Sequence, residues 1–332
     1  MNTDPARLKT VRQMLFQKPR AIALLILAGL ALFTQQINAA PDSDLLPVEP
    51  IRVIEGGDKL GLRHPSNVRL TSDNRILVLD GVSNRVVSYS YEGKFLGSFG
   101  KGGTGDDELS YPLGMTIDAK DNIYIADSGN ARVQVYNQDG KHLQQIKLPQ
   151  SKKQKRPDPT DVAIDNQRQL LYVVDNENHL VVVYSLKENK FIHAVGGMSH
   201  TQDGFRWPFS LYIDHEGTVY VVDVINTRIR TILPEEGFKL GYDIGSWGVE
   251  KGELFRPKGV AVNAKGQVFT ADSYLGVIQM FNKKGKFQAV LSDGAGKVKR
   301  FTTPTRLYFD HNGLLYVVEM FANRISVYRI KS

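Results

Sequence analysis

The 332-residue chain contains no cysteine. That excludes disulfides, thiolate metal sites and a lipid-anchoring cysteine. Histidine is sparse, and no His-x-His or His-Glu-x-x-His spacing occurs, so the local patterns of a zinc enzyme are missing. There is no Gly-x-Ser-x-Gly elbow and no phosphate-binding loop, which removes the usual marks of serine hydrolases and nucleotide-binding proteins. The glycine-rich piece Gly100 to Gly105 runs into Asp106-Asp107-Glu108 rather than a helix, and is read as a linker. Past residue 40 no segment holds a 3.6-residue apolar period, so a helical bundle is excluded. Long apolar runs are also lacking: Ala21 to Phe33 is 13 residues, short of the ~20 that a membrane span requires.

That run belongs to a leader. Arg7, Lys9, Arg12, Lys18 and Arg20 precede it, and small residues ending in Ala39-Ala40 follow it. Residues 1–40 are therefore expected to be a secretory signal peptide, with an uncleaved anchor as the alternative. Residues 41–47 are expected to be a short linker, and 48–332 one domain. The formal charge of +7 is inflated by the leader; without it the chain is near neutral. An exported, periplasmic or secreted protein follows, with no stable membrane span after processing. Nucleic acid is disfavoured as a partner by export and by the modest charge.

What is present is a repeat. A proline recurs at Pro65, Pro112, Pro159, Pro208, Pro257 and Pro304, at intervals of 47, 47, 49, 49 and 47 residues. An acid follows each: Asp80, Asp127, Asp175, Asp223, Asp272 and Glu319. A fixed period of this length marks a repeat architecture. Each unit holds four short runs rich in β-branched and aromatic residues, such as Asn122-Ile-Tyr-Ile-Ala, which suit strands. Asp139-Gly140, Glu92-Gly93 and Lys284-Gly285 fall between the third and fourth runs, where tight hairpins need positive φ. Six four-stranded antiparallel units make an all-β, six-bladed β-propeller. The last copy stops after its third strand, and Ile51-Arg-Val-Ile-Glu55 is expected to supply the fourth, closing the ring and removing exposed sheet edges.

The pattern Pro112-Leu-Gly-Met-Thr-Ile-Asp118, then Asn122-Ile-Tyr-Ile-Ala-Asp-Ser-Gly-Asn-Ala-Arg-Val-Gln-Val-Tyr136, resembles the NHL repeat. Residues 64–94, 206–237 and 256–285 match it well, and the third and sixth copies more loosely. The resemblance implies a six-bladed propeller. It does not imply one activity, because NHL propellers include RNA-binding modules, protein-binding modules, extracellular sensor domains and an amidating lyase.

The acid closing each second strand is followed five residues on by Arg85, Arg132, Arg228 or Arg324, with Leu180 and Val277 breaking the rule. A group present in nearly every blade is expected to be framework, each acid accepting backbone hydrogen bonds and pairing with its own blade's arginine. The residues that differ between blades are the candidates for binding. Around the prolines these are His64, Asn67, Tyr111, Asp158, Asp161, Arg206, Trp207, Arg256, Lys258 and Arg306; the loops after the second strands add Tyr274 and Phe321. Together they suggest a cationic funnel with an aromatic rim at the channel mouth, suited to an acidic protein loop or an anionic small ligand. The expected protein is a monomeric exported binding module, without metal, cofactor or assigned catalytic residue. Its partner is expected to be another exported protein or an anionic small ligand. The alternative is a lyase or hydrolase acting on a small anionic substrate in the central funnel, with or without the assistance of a metal.

Overall fold

The computed structural model describes residues 44–150 and 152–331; the leader read at 1–40 lies outside them. Four-stranded antiparallel sheets follow one another along the chain. Blade one is β2 (Pro65–Leu70), β3 (Ile76–Asp80), β4 (Arg85–Tyr89) and β5 (Phe95–Phe99). Blade two is β6 (Pro112–Ile117), β7 (Ile123–Asp127), β8 (Arg132–Tyr136) and β9 (His142–Lys147). Blade three is β10 (Pro159–Asp165), β11 (Leu170–Asp175), β12 (Leu180–Ser185) and β13 (Lys190–Gly196). Blade four is β14 (Pro208–Ile213), β15 (Val219–Asp223), β16 (Arg228–Leu233) and β17 (Lys239–Ile244). Blade five is β18 (Pro257–Val262), β19 (Val268–Asp272), β20 (Val277–Phe281) and β21 (Phe287–Ser292). Blade six takes β22 (Pro304–Phe309), β23 (Leu314–Glu319) and β24 (Arg324–Ile330) from the end of the chain and β1 (Leu45–Ile54) from its start.

Every first strand begins at its proline. Proline has no N–H to give to a ladder, so it is tolerated where a sheet has a free edge or at the first residue of a strand. The inner strand supplies both conditions, since its far side faces the channel. Each second strand is wholly buried, as in β3, β7, β15 and β19. It is covered on both faces by the neighbouring blades, which is why its sequence reads as an unbroken apolar run instead of alternating. The core is therefore a series of seams. Val78 and Val318 share the seam between blades one and six, Val135 and Val173 that between two and three, and Phe269 and Leu315 that between five and six.

Closure follows the expected course, with an addition. β1 pairs antiparallel with β24 from Val48↔Ile330 to Ile54↔Ile325. Its first residues, Leu45 to Pro47, pair parallel with Val290 to Ser292 of β21. The first strand thus starts inside the stretch read as a linker over 41–47, and it joins blade five to blade six. Val48 enters one seam and Ile54 the next, so a single strand closes two sheets and two cores.

The repeated acids are framework in geometry. Asp80 accepts the backbone N–H of Arg63 at 2.7 Å and the Nε–H of Arg85 at 3.0 Å. Asp127 does the same for Ser110 (2.6 Å) and Arg132 (2.8 Å), and Asp223 for Arg206 (2.7 Å) and Arg228 (2.9 Å). Where the arginine is lost, the acid keeps other donors: Asn178 Nδ2 for Asp175, as Asn130 Nδ2 serves Asp127, and the N–H groups of Tyr274 and Leu275 for Asp272. Each acid ties the loop leading into strand one to the end of strand two.

Candidate functional site

Strand one runs away from the face that carries its lead-in loop, and strand two returns to it. The lead-in loops and the loops between strands two and three therefore share one end of the propeller, the mouth. The expected rim residues are there. Tyr111 is 71% exposed, Phe321 62%, Tyr274 44% and Trp207 39%. His64 is exposed and meets Phe321 edge-on, with centroids 5.3 Å apart, and Phe255 backs Tyr274 at 4.9 Å.

Three rim residues stand directly before a proline in the left-handed region: His64 (φ 50°), Tyr111 (φ 47°) and Trp207 (φ 51°). Non-glycine residues hold this conformation only where their surroundings impose it. Here the neighbouring blade imposes it. The N–H of His64 donates to Asn323 Oδ1 (2.8 Å), that of Tyr111 to Asn84 Oδ1 (2.9 Å) and that of Trp207 to His179 Nδ1 (3.1 Å). The His179 ring also packs edge-on against Trp207 at 4.6 Å. Burial holds its pKa below the ordinary value, which keeps Nδ1 available as an acceptor. Asn84, His179 and Asn323 were not singled out in the sequence; their signal is that each follows a second strand and precedes a third in the blade before a rim residue.

The charged candidates separate into two groups. Arg256 is exposed at the mouth, its N–H donating to Asp272 at 2.8 Å. Arg206 is partly buried, and its Nε finds no acceptor. Asp158 is partly buried and accepts a hydrogen bond from the Ser128 hydroxyl; burial and the nearby Asp175 and Glu177 carboxylates push its pKa up. Asn67, Asp161 and Arg306, expected on the open funnel, are instead buried, at 0, 0 and 3% exposure.

These three meet across the axis. Arg306 Nη2 donates to the Thr160 carbonyl at 3.0 Å, and its Nε lies 3.6 Å from Asp161 Oδ2. Asn67 Nδ2 reaches Asp161 Oδ1 at 3.5 Å, and the N–H of Leu211 donates to Oδ2 at 2.9 Å. Asp161 is in blade three and Arg306 in blade six, so the pair spans the channel between opposite blades. The ring closes tightly at this level because two blades offer glycine. A Cβ on Gly114 would lie 2.4 Å from Asp161 Cα, and one on Gly259 3.1 Å from Arg306 Cα. Burial pushes the Asp161 carboxyl up, against the pull of Arg306 and Arg69.

The misplacement has a local cause. Between the proline and the residue two further on, the pairing with strand two shifts in five blades, as at Pro65/Asn67, Pro159/Asp161 and Pro304/Arg306, and in blade four it shifts between Pro208 and Leu211. Such a bulge re-aims the side chains that follow it, so the two-residue alternation of a strand does not predict which one points inward. Phe209, the residue that receives both cations of this layer, was missed for the same reason. Lys258 Nζ lies 3.8 Å from its ring centroid and Arg306 Cζ 4.7 Å.

Among the described residues no three His, Asp or Glu side chains gather as a metal site, and no helix is long and apolar enough to cross a membrane. Repeat, blades and closure define a six-bladed β-propeller. Comparison with known proteins agrees: residues 38–155 match the family described as 6-bladed beta-propeller, and residues 157–184 match the NHL repeat. The chain thus carries a 6-bladed beta-propeller domain and an NHL repeat. NHL repeat-containing protein 3 of Homo sapiens is 29% identical over 79 residues, which is 23% of this chain and 23% of that protein. The match thus spans under a quarter of this curated relative. Among solved structures, a gluconolactonase from Xanthomonas campestris has a TM-score of 0.62 at 13% identity, over 84% of this chain and 89% of its own. Virginiamycin B lyase from Staphylococcus aureus has a TM-score of 0.62 at 10% identity, over 84% and 87%. At these identities the likeness is one of fold.

Proposed function

We propose that the protein is an exported binding module whose mouth face docks another protein. The observation that carries this reading is the distribution of exposed large apolar side chains. Among the described residues they lie on the mouth-side loops, as with Tyr111, Trp207, Trp247 and Phe321, or along the blades' fourth strands; none lies on the turns at the other end. Aromatic residues near the centre of an interface carry much of its binding energy. Here the backbone N–H groups of three rim residues donate to the adjoining blade, so little main-chain freedom remains to be lost on binding. Arg256 and Arg206 beside them favour an acidic partner surface. Export is inferred from the leader-like residues 1–40.

Quantitative capture from the exported fraction tests the reading. Partners retained by the wild-type chain should be lost from a Tyr111→Ala, Trp207→Ala, Phe321→Ala variant and from an Arg206→Ala, Trp207→Ala, Arg256→Ala variant. They should persist with His215→Ala, His311→Ala, which alters the other end. An identical captured set for all four chains would remove the mouth from consideration.

A further inference from the structure

The bridge between Asp161 and Arg306 stops the channel, and the stopped upper part has an uncompensated charge. Lys258 stands one residue after Pro257, on the mouth side of the bridge. It and Phe209 remain partly exposed, while Asp161 and Arg306 do not. Among the described residues Lys258 Nζ has no carboxylate partner and no hydrogen-bond acceptor; its one polar contact is the face of Phe209 at 3.8 Å. Arg306 shares that ring, and its own Nε is buried without an acceptor, the 3.6 Å to Asp161 being too long for a hydrogen bond. Asp161, the acid at this level, is already engaged by Arg306, Asn67 and the Leu211 N–H. Arg69 adds a further cation below the bridge, its Nη1 donating to Asn67 Oδ1 at 2.7 Å.

Charges withdrawn from water are ordinarily paired. A ring face compensates an ammonium only in part. The deficit is visible in Lys258 itself, whose pKa burial and the Arg306 and Arg256 charges bring down to about 8. What is missing is a small anion. The unpaired group is a point-charge donor beside an aromatic ring, not the arginine fork or backbone nest that suits a phosphate. We infer that the upper channel is a carboxylate site, in which the Lys258 ammonium donates to a carboxylate that enters from the mouth and is backed by the Arg306 charge. The inference rests on the mouth being the ligand-facing end. The carboxylate has two sources, a free small acid or an acidic side chain of a docked protein, and the chemistry at Lys258 is the same for both.

Calorimetric titration of the processed chain at pH 7 with propionate, with a blocked glycine–glutamate–glycine tripeptide, and with its glutamine counterpart tests the site. One or both carboxylates should bind, and the glutamine peptide should not. Propionate binding marks a free-acid site; binding of the peptide alone marks a site for an acidic side chain. Lys258→Met should weaken binding about tenfold or more, as loss of a charge-assisted hydrogen bond requires. Lys258→Arg should restore most of it. Should Lys258→Met not fold, acetic anhydride labelling of the wild-type chain gives the same answer: the bound carboxylate should slow acetylation of Lys258 and leave exposed lysines unchanged. No binding of either carboxylate up to about 10 mM, equal binding by Lys258→Met, or unprotected Lys258 overturns the inference. Trp207→Ala should leave propionate binding intact. Partner capture that depends on Trp207, with no carboxylate effect at Lys258, would therefore sink this site and leave the docking face standing.

Discussion

Every repeat contributes one residue to each of two buried rings, 13 or 14 positions apart along the chain, and the rings are built on opposite plans. The ring of acids that closes the second strands is nearly the same six times over. Each member binds its own blade: Asp127, for example, holds Ser110 and Arg132, and no other blade is needed. The ring two residues past the prolines reads Asn67, Gly114, Asp161, Ser210, Gly259, Arg306. Its two charges face each other across the axis, from blade three to blade six. Repetition therefore accompanies local bonding, and departure from it accompanies bonding between distant blades. A single-blade contact can be copied with the blade. A contact across the axis cannot, because it requires two different partners.

Breaking the bridge should have the largest effect. Arg306→Ala leaves Asp161 buried without its counter-charge and should cost about 3–5 kcal/mol, read as a fall in the urea midpoint. Asp161→Leu, Arg306→Met removes both charges and should recover most of that loss. If the double variant is as unstable as the single one, the bridge does not act as a pair. Second comes the framework. Asp127→Asn removes the carboxylate that serves Ser110, Asn130 and Arg132 and should cost about 2–3 kcal/mol. Hydrogen exchange should quicken in blade two before the others, whereas the bridge variant should loosen blades three and six together.

Lys258 gives a smaller effect of opposite sign. Its pKa lies near 8 in the folded chain and near 10.5 when free. Below pH 8 the folded state pays for holding the proton, and that penalty fades as pH rises from 8 through 10.5. Lys258→Met should therefore stabilise the fold at pH 7 by about 1–3 kcal/mol, and the gain should disappear above pH 10.5. The charges that act on it are those of Arg306 and Arg256. Thermal unfolding of both chains across this range checks it. Smallest should be Tyr111→Ala, which removes a ring 71% exposed and should move stability by no more than about 0.5 kcal/mol. A larger loss would mean that the rim is structural and not a free surface.

The fold was readable because a propeller is periodic. The spacing from Pro65 to Pro304, the apolar second strands and the truncated last copy each state the same architecture, down to a closing strand that includes Ile51. The rim was readable too: Tyr111, Trp207, Tyr274 and Phe321 are large aromatic residues at loop positions that differ from blade to blade, and they are exposed at one end. The channel was not. Asn67, Asp161 and Arg306 have the same polar look as Arg256, and only the bulge after each proline turns them inward. One sign was present. In a ring of small or neutral residues, the only two charges fall three blades apart, where a six-membered ring sets them face to face.

The sequence by itself determined the blade, its number and its closure, because these depend on local pattern: a proline where a sheet has a free edge, β-branched runs that need cover on both faces, turns that need positive φ. Tertiary structure alone decided that the channel is bridged, that Lys258 stands above the bridge beside Phe209, and that Asn323, Asn84 and His179 fix the rim residues of the next blade. Those contacts join residues that are distant along the chain, and no local preference encodes a distance that exists only once the ring has closed.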